Sequence, residues 1–121
     1  MDSLIHAADI SNPTKPFHIY TLWAEKVLTE YWNQGDKERE RGFPVSYLMD
    51  RYTVNTAKSQ VGFIDIIVMP LYIVIKDFLP DVEIAIKNLE ENKSKWNERV
   101  AFYDNQLSTF SFLIFLKIFL Y

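Results

Sequence analysis

Apolar residues recur at helical spacing along most of the chain. In residues 16–33 they stand three and four apart, the period that places side chains on one face of an α-helix. These residues are Tyr20, Trp23, Val27, Leu28 and Tyr31. Pro16 suits the first turn of this helix, and Gly35 suits a left-handed residue just after its end. The pattern predicts a first long helix that closes near Asn33.

A second long helix is predicted over residues 48–68, where the polar residue Gln60 interrupts an otherwise apolar face. The face consists of Ala57, Gln60, Phe63, Ile64 and Ile67. Pro70 should kink or restart the helix, because proline lacks an N–H group and its ring clashes with the preceding turn. Pro80, between Leu79 and Asp81, should end the segment that follows.

A third helix is predicted after Asp81, whose carboxylate can cap its first turn. Its stripe, at heptad-like spacing, is Val82, Ile86, Leu89, Lys93, Trp96, Val100 and Tyr103. We favour core packing for this stripe over a coiled-coil seam. Because the sequence has no strand-period run of convincing length and no internal repeat, the predicted fold class is all-α.

Three further segments need an interpretation. Residues 36–41 alternate in charge, which indicates a solvated helical turn with local ion pairs, with phosphate binding by its arginines as the minor alternative. Residues 110–121 contain ten apolar residues in twelve, fewer than the ~20 that span a bilayer. A buried helix end, a peripheral membrane segment and a non-native translation each fit this tail. Leu4, Ile5, Ala7 and Ala8 resemble the last turns of a helix, so the chain could be a fragment.

Composition narrows the classes of function. The chain has 121 residues, 49% of them hydrophobic, with a net charge of −3 and no cysteine. This excludes disorder, disulfide scaffolds, zinc–thiolate sites and cysteine nucleophiles, and it gives no reason to expect nucleic acid as a partner. Since no secretory signal opens the sequence, we expect a cytoplasmic protein. Any metal must be held by carboxylates and by the two histidines, His6 and His18.

Two pairs of residues depart from plain helix packing. His6 and Asp9 are three apart, so they could share a metal, although a capping contact fits the spacing as well and one pair makes an incomplete site. Gln60 and Phe63 are also three apart, so an amide and an aromatic face can point into one space. A purine needs both features, but a structural glutamine beside a core phenylalanine fits the same spacing.

Read together, four segments in register resemble the C-terminal part of the class I 3',5'-cyclic-nucleotide phosphodiesterase catalytic domain, closest to its cAMP-specific members. The segments are HAADISNPTKP at residues 6–16, QGDKERERG at 34–42, Asp50, and KSQVGFID at 58–65, with Trp23 between the first two. The resemblance covers about residues 4–96, and it disappears beyond about Val100. It therefore implies an incomplete phosphodiesterase catalytic domain over residues 1–100 and a divergent apolar tail over residues 101–121.

The resemblance implies hydrolysis of cAMP or cGMP to the 5'-monophosphate in signal transduction, with two divalent metals, zinc with magnesium or manganese. It places Asp9 on a metal ligand, Gln60 on the purine-binding glutamine, and Phe63 and Val27 on the two sides of the base clamp. It also places Asn12 and Tyr20 beside the base and the glutamine. We expect cAMP to be the favoured substrate, and membrane contact through the tail is the less favoured alternative.

The family's other metal ligands and its general-acid histidine have no counterpart in this sequence, and His6 and His18 do not match them. We expect His6 to support Asp9 or the helix end and His18 to lie on an exposed face. The chain alone should therefore lack phosphodiesterase activity. The alternative hypothesis is a non-catalytic helical module that binds nucleotide weakly or pairs with the full-length enzyme.

Overall fold

The computed structural model describes residues 2–119, and in that range all regular structure is helical. The α-helices are α1 (Asp2–Asp9), α2 (Phe17–Glu40), α3 (Thr56–Phe63), α4 (Met69–Lys76) and α5 (Glu83–Phe119). Short 3₁₀ turns at Asn12–Thr14 and Pro80–Val82 precede α2 and α5, and a π-helical segment, Ile64–Val68, joins α3 to α4. The all-α prediction is confirmed.

Helix α2 begins after Pro16 as predicted, but it does not end at Gly35. It continues to Glu40, and Gly42 takes the left-handed conformation beyond it with φ of +73°. Gly35 is buried because the backbone of Met49 lies directly against it, where a Cβ would meet the Met49 carbonyl group. Glycine at position 35 therefore allows the Met49 backbone to approach the helix closely. The prediction that Gly35 caps the helix was wrong.

The second long helix begins later than predicted. Residues 41–55 form an irregular loop, in which Leu48 has φ of +65°, and helix α3 starts only at Thr56. The Asn55 side chain accepts a hydrogen bond from the Lys58 N–H at 2.9 Å, which caps the helix. The Asn55 cap and the left-handed Leu48 determine where helix α3 starts. Apolar spacing alone places that start eight residues too early.

The alternating charges at the end of α2 hold this loop. The Arg39 guanidinium pairs with Asp50 at 2.9 Å, and Glu38 accepts hydrogen bonds from the Ser46 backbone N–H at 2.7 Å and hydroxyl at 2.8 Å. Hydrogen bonds from Gln34 and then from Ser46 lower the pKa of Glu38. Residues 36–41 continue the helix as predicted, but their charged side chains bind residues of the loop as well as each other.

The π-helical segment lies just before Pro70, which stands in the first turn of α4. A widened turn there accommodates the proline ring and its missing N–H, in agreement with the predicted kink. The combined helix Thr56–Lys76 has the length and mean hydropathy, 1.6, of a membrane-spanning helix. Core helices share those properties, and the inner face of this one packs against α5, so no membrane assignment follows.

The core lies where α5 packs across α3, α4 and the start of α2. Its buried apolar residues are Ala7, Tyr20, Ala24, Ala57, Ile64, Val68, Tyr72, Ile75, Leu89 and Trp96. The α5 stripe is thus core packing: Leu89 and Trp96 are fully buried, and Ile86, Val100 and Tyr103 pack against the cluster. Asp81 lies inside the 3₁₀ turn and not at a cap position, so that detail was wrong.

Helix α5 continues without a break past Val100, the predicted end of the domain. Asp104 accepts hydrogen bonds from Lys58 at 2.9 Å and from Asn55 at 2.7 Å, which in that order lower the pKa of its carboxyl group. Farther along the predicted tail, Phe112 and Leu113 are exposed, and Leu120 and Tyr121 lie outside the described residues. The domain boundary stays a prediction, since contacts with α3 extend beyond it.

We predict that Gly35→Ala destabilises the chain by about 1 to 3 kcal/mol, because the new Cβ would overlap the Met49 carbonyl group. Gly62→Ala is the matched control, since nothing lies within 4 Å of a Cβ there. In a helix interior that change should stabilise by about 0.5 to 1 kcal/mol. Urea unfolding of both variants measures the effects. Equal stability of the two variants would contradict the close approach at Gly35.

Candidate functional site

A cavity of about 470 Å³ lies between the end of α1, helix α2, helix α3 and the 41–55 loop. It brings together every residue for which the sequence predicted a site role: Asp9, Asn12, Tyr20, Val27, Gln60 and Phe63. Its remaining lining residues are Ile10, Trp23, Ala24, Leu28, Tyr31, Leu48, Ser59 and Ile67. The cavity is therefore mostly apolar, with a few polar groups, as is usual for a small-molecule site.

Gln60 is the polar residue that interrupts the apolar face of α3, and the structure shows one of its partners. The Tyr20 hydroxyl of α2 donates a hydrogen bond to Gln60 Oε1 at 2.6 Å. Within residues 2–119, the Nε2 group of Gln60 donates to no protein atom. A purely structural glutamine would also accept the Tyr20 bond. The unused Nε2 donor beside a cavity is the feature that fits a ligand.

Tyr20 is held rigidly and kept neutral by its surroundings. Its side chain is 1% exposed, and its ring packs edge-on against Trp96 with centroids 5.9 Å apart. Burial raises the pKa of the Tyr20 hydroxyl far above its ordinary value of 10.0. The Trp96 indole N–H opposes part of this rise, although it lies outside hydrogen-bond geometry. The hydroxyl therefore stays a donor throughout the physiological pH range.

Phe63 and Val27 supply apolar surface on two different walls of the cavity. Phe63 ends α3 one turn after Gln60, and its side chain is partly buried against the core. Val27 lies on α2 between Trp23 and Tyr31, and all three side chains are more than a third exposed. A flat aromatic ligand between these walls could stack on Phe63 while its edge meets Gln60.

Asn12 and Asp9 line the cavity from the end of α1 and the segment that joins it to α2. Asp9 is the last residue of α1, and Asn12 opens the 3₁₀ turn that follows. That turn is stiffened by a hydrogen bond from the Thr14 hydroxyl to the Ser11 carbonyl at 2.7 Å and by the buried ring of Pro13. His6 and His18 are both exposed and do not line the cavity.

Asp9 is a suitable metal ligand by chemistry, but it stands alone. Among the side chains that the structure describes there is no group of three or more His, Cys, Asp or Glu residues that could hold a metal ion. A magnesium or zinc ion needs four to six ligands. The described residues therefore supply one ligand of a metal site and do not supply a complete set.

Sequence reasoning missed two parts of the site. Leu48 comes from a loop that was expected to be helical, so its place at the cavity had no sequence signal. Trp96, which fixes Tyr20, appeared in the sequence only as one member of an apolar stripe. By contrast, the periodic face of α2 already contained Trp23 and Tyr31, and their helical spacing with Val27 could have assigned them to the cavity.

A larger and more open cavity, of about 540 Å³, lies beyond Leu48 and Ser59. Its polar lining includes Lys58 and Asp104, which form an exposed ion pair with each other at 2.9 Å. None of the predicted site residues lines it. Because its charges are already paired and exposed, the smaller cavity is the better candidate site.

Comparison with known proteins finds similarity to cyclic nucleotide phosphodiesterases. The sequence model of the 3'5'-cyclic nucleotide phosphodiesterase family matches residues 1–89. Over 101 residues, 83% of this chain, the sequence is 48% identical to the probable 3',5'-cyclic-AMP phosphodiesterase pde-4 of Caenorhabditis elegans. Over the same share it is 43% identical to 3',5'-cyclic-AMP phosphodiesterase 4C of Rattus norvegicus. The matched regions make up 15% and 19% of those two proteins.

A solved structure is similar in fold as well as in sequence. The structure of LmjPDEB1 in complex with IBMX superposes with a TM-score of 0.73 at 36% sequence identity. The similarity covers 79% of this chain and 29% of that one. The chain thus spans a minor part of the length of the proteins it matches.

We predict that Tyr20→Phe lowers the stability of the chain at pH 7 by about 1 kcal/mol, because it removes the bond to Gln60. The substitution should also make the free energy of unfolding fall less steeply at high pH. Above pH 10 the unfolded chain releases the Tyr20 proton while the folded chain retains it, so stability falls as pH rises.

Urea unfolding between pH 7 and pH 11 measures this effect. Burial also raises the pKa values of Tyr72 and Tyr103, so the substitution should remove only part of the slope. Tyr47→Phe is the control, since the Tyr47 side chain is 89% exposed and its removal should leave the profile unchanged. Parallel profiles for Tyr20→Phe and the unsubstituted chain would show that the hydroxyl is not buried as described.

Proposed function

This chain belongs to the 3',5'-cyclic nucleotide phosphodiesterase family, and we propose that its cavity is the base-binding side of a site that hydrolyses a cyclic nucleotide. One observation carries the proposal: the Tyr20–Gln60 bond lies in a single cavity with Asp9, Asn12 and Phe63. In this proposal Gln60 and Phe63 supply the amide and the aromatic face that recognise a purine, and the phosphate lies beside Asp9.

We propose that cAMP is the favoured substrate. Adenine presents an N6 donor beside an N1 acceptor, so Gln60 Oε1 can accept from N6 while Nε2 donates to N1. Guanine presents the reverse pattern, and the Gln60 amide would have to turn over to match it. That rotation would bring Nε2 to the Tyr20 hydroxyl, which would then have to accept a hydrogen bond where it now donates one to Oε1 at 2.6 Å. The orientation in the structure, with the hydroxyl donating to Oε1, is the one that matches adenine, which supports the proposed preference.

Stacking supplies the second part of base binding in this proposal. The purine lies with one face on the Phe63 ring and the other on Val27, and Asn12 offers a further amide near the base edge. Within residues 2–119 the Asn12 side chain has no hydrogen-bond partner, so its amide is free to meet a ligand. Aromatic stacking tolerates either purine, whereas the amides discriminate between them.

Asp9 would be one ligand of a divalent metal pair, zinc with magnesium or manganese, in the complete protein. Such ions lower the pKa of bound water and offset the charge of the phosphate. The remaining ligands and the acid for the leaving oxygen would come from other parts of that protein, since Asp9 is the only metal-type ligand that the described residues bring to this cavity. The chain's own contribution is to bind and orient the base.

We predict that the purified 121-residue chain hydrolyses no cAMP with added metal, whereas the complete protein that contains it does. In the complete protein, Asp9→Ala should abolish turnover because it removes a metal ligand. Asp77→Ala, an exposed carboxylate outside the cavity, is the control and should keep full activity. Turnover by the chain alone that Asp9→Ala abolishes would contradict the proposed division of roles.

Gln60→Ala in the complete protein should reduce kcat/KM for cAMP by about 10- to 100-fold, because the base loses its paired hydrogen bonds. Gln106→Ala, an exposed amide on α5, serves as the control. Competition between cAMP and cGMP tests the base preference. Equal affinity for the two nucleotides would refute it.

A further inference from the structure

A polar stripe on α5 faces the segment that carries Asn12 and Tyr20. Asn92 is 2% exposed, and its Nδ2 group donates hydrogen bonds to the carbonyls of Pro13 and Lys15, both at 2.7 Å. We infer that Asn92 is a positioning residue, which sets the place of the base-contacting residues although it does not line the cavity. This inference rests on the proposed function. Asn92 lies beyond residues 1–89, the part that the family match covers.

The geometry uses both hydrogens of one amide. The carbonyls of Pro13 and Lys15 are two residues apart, so Asn92 brackets Thr14 and fixes the turn from both sides. One helical turn earlier, Asn88 Nδ2 donates to the Thr14 carbonyl at 2.8 Å. Three successive carbonyls of the turn therefore accept hydrogen bonds from α5, and the turn is attached to that helix at each of them.

The next residues of this α5 stripe pack against the start of α2. The Trp96 ring packs edge-on against Phe17 at 5.3 Å and against Tyr20 at 5.9 Å between centroids. The Arg99 guanidinium lies over the Phe17 ring at 4.6 Å. Asn88, Asn92, Trp96 and Arg99 recur at four, four and three residues, so one face of α5 holds the chain from Pro13 to Tyr20.

The donor groups of Asn92 matter more than its shape. In Asn92→Asp the side chain keeps its size, but a carboxylate would face two carbonyl oxygens and repel both. The turn would then move away from α5 and carry Asn12 with it. Because Asn12 is proposed to contact the base and not the reacting phosphate, the change should weaken substrate binding more than it slows the chemical step.

A purely structural role for Asn92 predicts a different result. Loss of a core contact would lower stability throughout the chain and leave the properties of the folded site unchanged. Leu89→Ala provides that comparison, because Leu89 is fully buried on the same helix, does not line the cavity and has no polar group that could bond to the turn. Asn88→Ala removes one bond at a half-buried position, so it tests the same idea with less risk to folding.

The experiment compares these variants in the complete protein by two measurements. Steady-state kinetics with cAMP should show KM raised by about tenfold or more in Asn92→Asp, with kcat within about threefold. Asn88→Ala should give a smaller rise in KM, and Leu89→Ala should give none. Hydrogen exchange should become faster at the Thr14 and Lys15 amides in both asparagine variants, while the α3 amides keep their rates.

Each outcome decides the inference. If Asn92→Asp matches Leu89→Ala in KM and speeds exchange evenly along the chain, Asn92 is structural only and the inference fails. If neither asparagine variant changes KM or local exchange, it fails as well. A complete protein that hydrolyses no cyclic nucleotide would refute the proposed function, and local exchange at Thr14 and Lys15 would then still decide whether Asn92 holds the turn.

Discussion

The hydrogen bond between Tyr20 and Gln60 joins two helices across forty residues of sequence, and the cavity exists only while they stay in register. Helices α2 and α3 meet mainly through α5, which supplies Trp96 to the Tyr20 ring. A shift of either helix by one residue would remove the hydroxyl from the amide. The contact of Trp96 with Tyr20 therefore supports the hydrogen bond that joins α2 to α3.

The same arrangement leaves much apolar surface uncovered. On α2, Leu22 is 60% exposed and Trp23 49% exposed, and beyond α3 the side chain of Ile66 is 78% exposed. Exposed apolar surface is expected where another part of a protein packs. It agrees with the small share, 15 to 19%, that the matched region forms of its curated relatives. The proposed function accordingly assigns base binding to this chain and the remaining metal ligands to the rest of a longer protein.

Much of the site could be predicted because its residues stand in short motifs. Asp9 and Asn12 lie in one run, and Gln60 and Phe63 in another, so recognising the runs was enough to name them. Helical periodicity likewise found α2 and α5. It could not find the end of α2, because Gly35 has the sequence signal of a cap while its position is set by the Met49 backbone. Nor could it show that Asn92 is buried, since its bonds go to carbonyls 77 and 79 residues away.

A structure of the complete protein with bound adenosine 5'-monophosphate tests the central claim most directly. The adenine ring should lie between Phe63 and Val27, with its N1 and N6 edge on the Gln60 amide and the Tyr20 hydroxyl still bonded to Oε1. The phosphate should lie toward Asp9. A nucleotide bound in the larger cavity beside Lys58 and Asp104, or an adenine edge turned away from Gln60, would contradict the assignment of the site.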